Sequence, residues 1–167
     1  MKQLTPLLRS TALALVIGIT ATNAYAVSPR AFVENASEKG MAEIENGKLA
    51  VQKSQSADIR KFAQMMIDDH QATNDELMQL ASQLKLPPSD EAAMMDRVKK
   101  MILEYRESSF DKAYANNQVS AHEQTVELFK EQAEDPDVPP LQEFAKKHLP
   151  RLEAHLQEAK KLQAAHP

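Results

Sequence analysis

The sequence predicts an all-α fold: a bundle of four long helices, with a short extra helix in the crossover between helices 2 and 3. Two observations carry that expectation. Apolar residues recur at three- and four-residue spacing through four long segments, with no strand-like alternation between them. Proline, serine and aspartate punctuate the ends of those segments, while the 167 residues include only 3 glycines.

Each element has its own start and stop signals. In "SPRAF", Ser28 is placed to cap a first helix with Pro29 at its first position, and the pattern runs to about Ser54. Ser56 precedes a second helix from about Ala57 to Leu84, which stops before Pro87 and Pro88. Met94, Val98, Met101, Ile102 and Tyr105 then fall on one helical face, so a shorter amphipathic helix is expected after Ser89. In "SSFD", Ser108 and Asp111 have capping-box spacing for a third long helix that ends near Glu134. The fourth runs from Pro139 to about Ala164, with a kink expected at Pro150. Two short turns and one long middle connection are the pattern of ferritin-like bundles.

Residues 1–26 read as a cleaved signal peptide, leaving 27–167 as the bundle domain. Lys2 and Arg9 form a positive n-region, Thr11 to Ile19 an apolar stretch, and Ala24 and Ala26 a small-residue cleavage site. The apolar stretch is shorter than the roughly 20 residues a bilayer span needs, so no membrane span is expected after cleavage. A periplasmic or secreted protein of a Gram-negative bacterium is the expectation. Loss of Lys2 and Arg9 takes the formal charge from -4 to -6, and an acidic chain offers no basic stripe for nucleic acid. With no cysteine, disulfides and thiolate ligands are excluded. Stability must come from core burial, a bound ion, or both.

Helical-wheel positions at about 100° per residue separate buried from solvent-facing side chains. The buried arcs contain Phe32, Ile44, Ala50 and Val51 on the first helix and Ile59, Phe62, Met66 and Leu77 on the second. Polar groups intrude on all four arcs: Glu43, then His70, then Gln118 and His122 near Tyr114, and finally His148 and His155 at the border of the fourth. Asp68 falls opposite its arc, so "DDH" as a triplet is not expected to be the site. Glu43 and His70 lie about 12 and 14 residues from the first turn, which leaves roughly a 3 Å offset at 1.5 Å per residue. Spacing alone does not choose between His148 and His155.

Imidazole nitrogens and a carboxylate in one layer suit a single divalent transition metal ion such as Zn, Cu, Fe or Ni. The predicted ligands are Glu43, His70 and His122 with one fourth-helix histidine, and Tyr114 and Gln118 are placed around them. A lone inward histidine is more often hydrogen-bonded core, so a metal-free His/Glu network in a structural or protein-interaction bundle is the competing reading. The Met65–Met66 and Met94–Met95 pairs read as core filler, Arg97–Lys100 as a solvated face, and His166 as a frayed end.

Four stretches together, "FVENASEKGMAEIENGKLA", "FAQMMIDDH", "SSFDKAYANNQVSAHEQTVELF" and "FAKKHLPRLEAHLQEA", resemble a bacterial family of exported ferritin-like bundles called domain of unknown function 4142. The resemblance matches Glu43, His70, His122, Leu149, Pro150 and His155, and it implies His155 rather than His148 as the fourth partner. It implies a fold and a metal-binding layer but no activity. Carboxylate-bridged di-iron bundles use E-x-x-H pairs, whereas Ile67, Val119, Ala145 and Leu152 precede these histidines by three. Ferroxidase or oxygenase chemistry is therefore not expected. No nucleophile or cofactor loop stands out, so metal binding or buffering under envelope stress is expected rather than turnover. A hydrolytic or redox metalloenzyme is a third, weaker reading. The sequence leaves oligomerisation open, a homodimer included.

Overall fold

A computed structural model of the protein describes residues 27–86 and 110–167, with Met95, Asp96 and Val98 between them. Four long helices make up the described chain: α1 (Pro29–Lys53), α2 (Ala57–Gln83), α3 (Phe110–Glu134) and α4 (Pro139–Ala165). Their ends agree with the sequence signals to within a residue. Ser28 Oγ accepts the Ala31 N–H at 3.3 Å and so caps α1. Lys85 follows α2 in the left-handed region at φ 55°, and the Leu86 N–H reaches back to the Ala81 carbonyl at 3.0 Å, closing a Schellman-type end. Pro150 lies inside α4. The expected signal segment, Ser108 and the crossover helix lie outside the described residues, save that Met95, Asp96 and Val98 are helical and Val98 is buried.

Cross-helix contacts define the topology. Gly40 faces Asn74 and Gly47 faces Ile67, so α1 and α2 are antiparallel. Along α2 and α4, Glu76 meets His148, Asp69 meets His155 and Asp58 meets His166, again antiparallel. Asn116–Gln163 and Lys130–Glu153 set the same relation for α3 and α4. Thus α2 and α3 run parallel, and the chain between them must return the length of the bundle. At 1.5 Å per residue that is about 40 Å, which explains the long central connection.

The core is divided along its length. At one end Phe32, Phe129 and Phe144 pack with centroids 5.3 to 6.5 Å apart, joined by Leu77, Leu141 and Leu152. At the other, Ile59, Phe62, Met66, Tyr114 and Leu162 form a second apolar cluster. Between them sit buried Glu43, His70, Gln118, His122 and His155.

Two sequence expectations change. Val51 is 37% exposed rather than buried, because Ala50 takes the inward direction and Val51 projects about 100° round the helix from it. His166 is not frayed: its Nε2 lies 3.0 Å from Asp58 Oδ2 and ties the end of α4 to the start of α2. The Ser56 hydroxyl and His166 hold the Asp58 carboxyl down at about 2.

Close approach of α1 to α2 depends on glycine on either side of Glu43. A Cβ at Gly47 would come within 2.9 Å of the Ala63 carbonyl oxygen and 2.8 Å of Ile67 Cγ1, whereas at Gly40 it would meet the Asn74 side chain. Asn74 can swing away by giving up its 3.2 Å hydrogen bond to the Ser37 carbonyl, but the Ala63 main chain has no such freedom. Gly47→Ala should therefore lower the melting midpoint more than Gly40→Ala. Its overpacking cost of about 1–3 kcal/mol exceeds the helix-propensity gain of roughly 1 kcal/mol. Equal midpoints would show that α1 can shift without penalty.

Candidate metal centre

His70, His122 and His155 come from α2, α3 and α4, and each is at most 5% exposed. The ring centroids form a nearly equilateral triangle, with separations of 5.7, 5.6 and 5.6 Å. One nitrogen from each ring lies within 4.8 Å of the others. Dividing the 5.6 Å side by the square root of three puts the centre about 3.2 Å from each ring. That is close to a metal–nitrogen bond of about 2.0–2.1 Å plus the distance from nitrogen to ring centre.

Hydrogen bonds orient two of the rings. His122 Nδ1–H donates to the Gln118 carbonyl at 2.8 Å, one turn back on α3, which leaves Nε2 as a lone pair. His155 Nε2–H donates to Asp69 Oδ2 at 2.9 Å, which leaves Nδ1. Arg151 holds the other oxygen of Asp69. His122 Nε2, His155 Nδ1 and His70 Nε2 are all buried without a hydrogen-bond partner. Two lone pairs cannot hydrogen-bond each other, so each needs a cation or an N–H donor, and the neutral His70 ring carries one such N–H. A ligand histidine whose second nitrogen donates to a carboxylate or carbonyl is the usual support around bound metal.

Burial and mutual repulsion disfavour a charge on His70 and His155. The His70 pKa is pushed well below its ordinary value, first by burial and then by the charges of His122 and His155. Burial also lowers His155, against the opposing pull of Asp69. Neutral imidazole is the form that binds metal.

Glu43, on α1, is not among the mutually close three. It is 3% exposed, and burial raises its pKa against the opposing influence of His122, the Gln118 amide and Lys39. Its Oε2 has no partner, and the Gln118 amide lies nearby without closing a hydrogen bond of ordinary geometry. Tyr114 belongs to the apolar cluster: it stacks on Phe110 and packs against Phe62, whose ring centre is 6.4 Å from both Tyr114 and His122.

His148 lies apart from the triad. It is two turns before His155, about 10 Å along the helix, with Nε2 3.1 Å from Glu76 Oε2 and its ring 4.5 Å from that of Phe144. Asp69 was missed by sequence reasoning, which set "DDH" aside because Asp68 faces solvent. Asp68 is indeed exposed, and accepts from Gln64. Asp69, about 100° further round, turns toward α4. The signal was present in "RLEAH", where Arg151 and His155 share a face at i, i+4 spacing and together grip one carboxylate.

The depressed histidines set a pH dependence for the metal-free protein. As pH falls below about 6.5 the unfolded chain takes up protons that His70, His148 and His155 resist in the fold, so their stability contribution is present above that pH and is lost below it. Glu43, raised in the fold, acts with the opposite sign: its contribution is present at low pH and lost as pH rises through its folded value. Three groups against one give a falling melting midpoint from pH 7 to 5, and His70→Met should flatten the slope. A slope unchanged in that variant would remove His70 as its source.

Comparison with known proteins gives one result. No curated protein and no solved structure matches this chain. Residues 16–162 match a family model described as a domain of unknown function. The match covers most of the four-helix bundle and every residue of the polar layer, and the chain therefore belongs to the DUF4142 family.

Proposed function

We propose that this protein is an exported metal-binding bundle that holds one divalent first-row transition ion between His70, His122 and His155, with Glu43 beside the layer and not on the resting ion. The single observation that carries the reading is three buried histidines from three helices, each with a nitrogen within 4.8 Å of the others and each with one buried ring nitrogen that lacks a hydrogen-bond partner. Leaving one such group unpaired costs about 1–3 kcal/mol, and one ion would satisfy all three. Zn, Cu, Fe and Ni all accept this donor set. With residues 1–26 removed as a signal peptide, the protein would bind or buffer metal in the periplasm and take part in envelope stress responses. Ion binding of this kind requires no turnover.

The melting midpoint of EDTA-treated protein tests this reading. At a free ion concentration a hundredfold above Kd, binding to the folded state alone adds about 2.7 kcal/mol, or roughly 10 °C for a domain of this size. Zn, Cu, Fe, Ni and Mn are tried separately. In His70→Met the shift should vanish, while the ion-free midpoint holds or rises because an apolar side chain replaces a buried polar one. An unmoved wild-type midpoint with every ion would leave a metal-free structural bundle in its place.

Asp69 supplies a second test. Asp69→Asn keeps the shape but loses the charged acceptor for His155, and affinity for the ion should fall ten- to a hundredfold by calorimetric titration. Wild-type affinity in that variant would mean that His155 needs no such support.

A further inference from the structure

The triad is sealed from solvent, yet one of the polar residues around it lines an opening. Between α1 and α3 lies a cleft of about 220 Å³ whose lining includes Glu38, Glu43, Asn46, Asn117 and Gln124. At its floor is Glu43, 3% exposed, with Oε2 buried and unpartnered. His122 lies near enough for its charge to favour the Glu43 carboxylate. Across the cleft Lys39 Nζ donates to Gln124 Oε1 at 3.0 Å, joining α1 to α3. The lining therefore combines the Glu38 and Glu43 carboxylates and the Asn46 and Asn117 amides with one ammonium, Lys39, which is held by Gln124; carboxylate and amide oxygens are the donors a hydrated dication needs as it gives up water.

We infer that this cleft is the route by which the ion reaches the triad, and that Glu43 is an entry ligand that takes the cation from the cleft and passes it to His122. The inference rests on the triad being the metal site. It deepens that reading by giving Glu43 a kinetic role. A purely apolar passage would force a dication to shed all its water without replacement, at a large desolvation cost. A carboxylate at the inner end offers an intermediate stop. Transfer proceeds by ligand exchange alone: water leaves the ion as Glu43 oxygen and then imidazole nitrogen bind, with no change of oxidation state.

The experiment measures cobalt(II) loading of EDTA-treated full-length mature protein by stopped-flow visible absorption, together with equilibrium affinity. Two variants separate the roles. Glu43→Gln removes the carboxyl group at the floor. Ser120→Phe adds bulk at an exposed position lining the cleft, where the fold is not at stake. Both should load at least tenfold more slowly while equilibrium affinity stays within a few-fold. Ser120→Phe should also slow release into EDTA by the same factor, since a narrowed route hinders both directions. Wild-type loading rates in both variants would overturn the route. Unchanged loading with weakened affinity in Glu43→Gln would overturn the relay and make Glu43 a ligand of the resting ion. Failure of wild-type protein to bind cobalt or any other tested ion would instead remove the triad reading, and this inference with it.

Discussion

Three imidazoles and a carboxyl buried between two apolar clusters are the constraint on which the rest of this bundle depends. Burying each polar group has a cost unless it finds a partner. His122 and His155 find one apiece, in the Gln118 carbonyl and Asp69, and those partners fix which nitrogen is left over. One nitrogen on each of the three rings is left buried without a partner. The apolar ends, centred on the Phe32–Phe129–Phe144 group and on Phe62 with Met66, hold the helices together firmly enough to keep that layer in place.

The backbone is built around the same layer. Gly40 and Gly47 bracket Glu43 on α1 and admit α2 at a distance that no Cβ would allow at Gly47. Electrostatics point the same way: burial keeps His70 neutral, and neutral imidazole is the metal-binding form. A structural core has no need of these compromises, since well-packed apolar residues of similar volume usually serve stability as well or better.

Much of this was legible in the sequence. Helix ends followed from Ser28 and Pro29 and from the prolines after Leu84 and Glu134, because capping and loss of a backbone N–H are local effects. The inward direction of His70, His122 and His155 followed from helical periodicity, which is a property of one helix at a time. The same arithmetic misplaced Val51 at the edge of its arc, where neighbour packing rather than angle decides exposure.

The choice of His155 over His148 as the third member of the triad belonged to the tertiary structure, although the family resemblance had pointed to it. Both border the core face of α4, and only the axial register of α4 against α2 and α3 puts one at the level of His70 and leaves the other beside Glu76. Asp69 and its bridge to Arg151 were likewise invisible along the chain, since their meeting depends on the facing of two helices more than 80 residues apart in sequence. Periodicity determines which side chains point inward. Axial register, set by close packing at Gly40 and Gly47 and by contacts across the bundle, decides which of them meet.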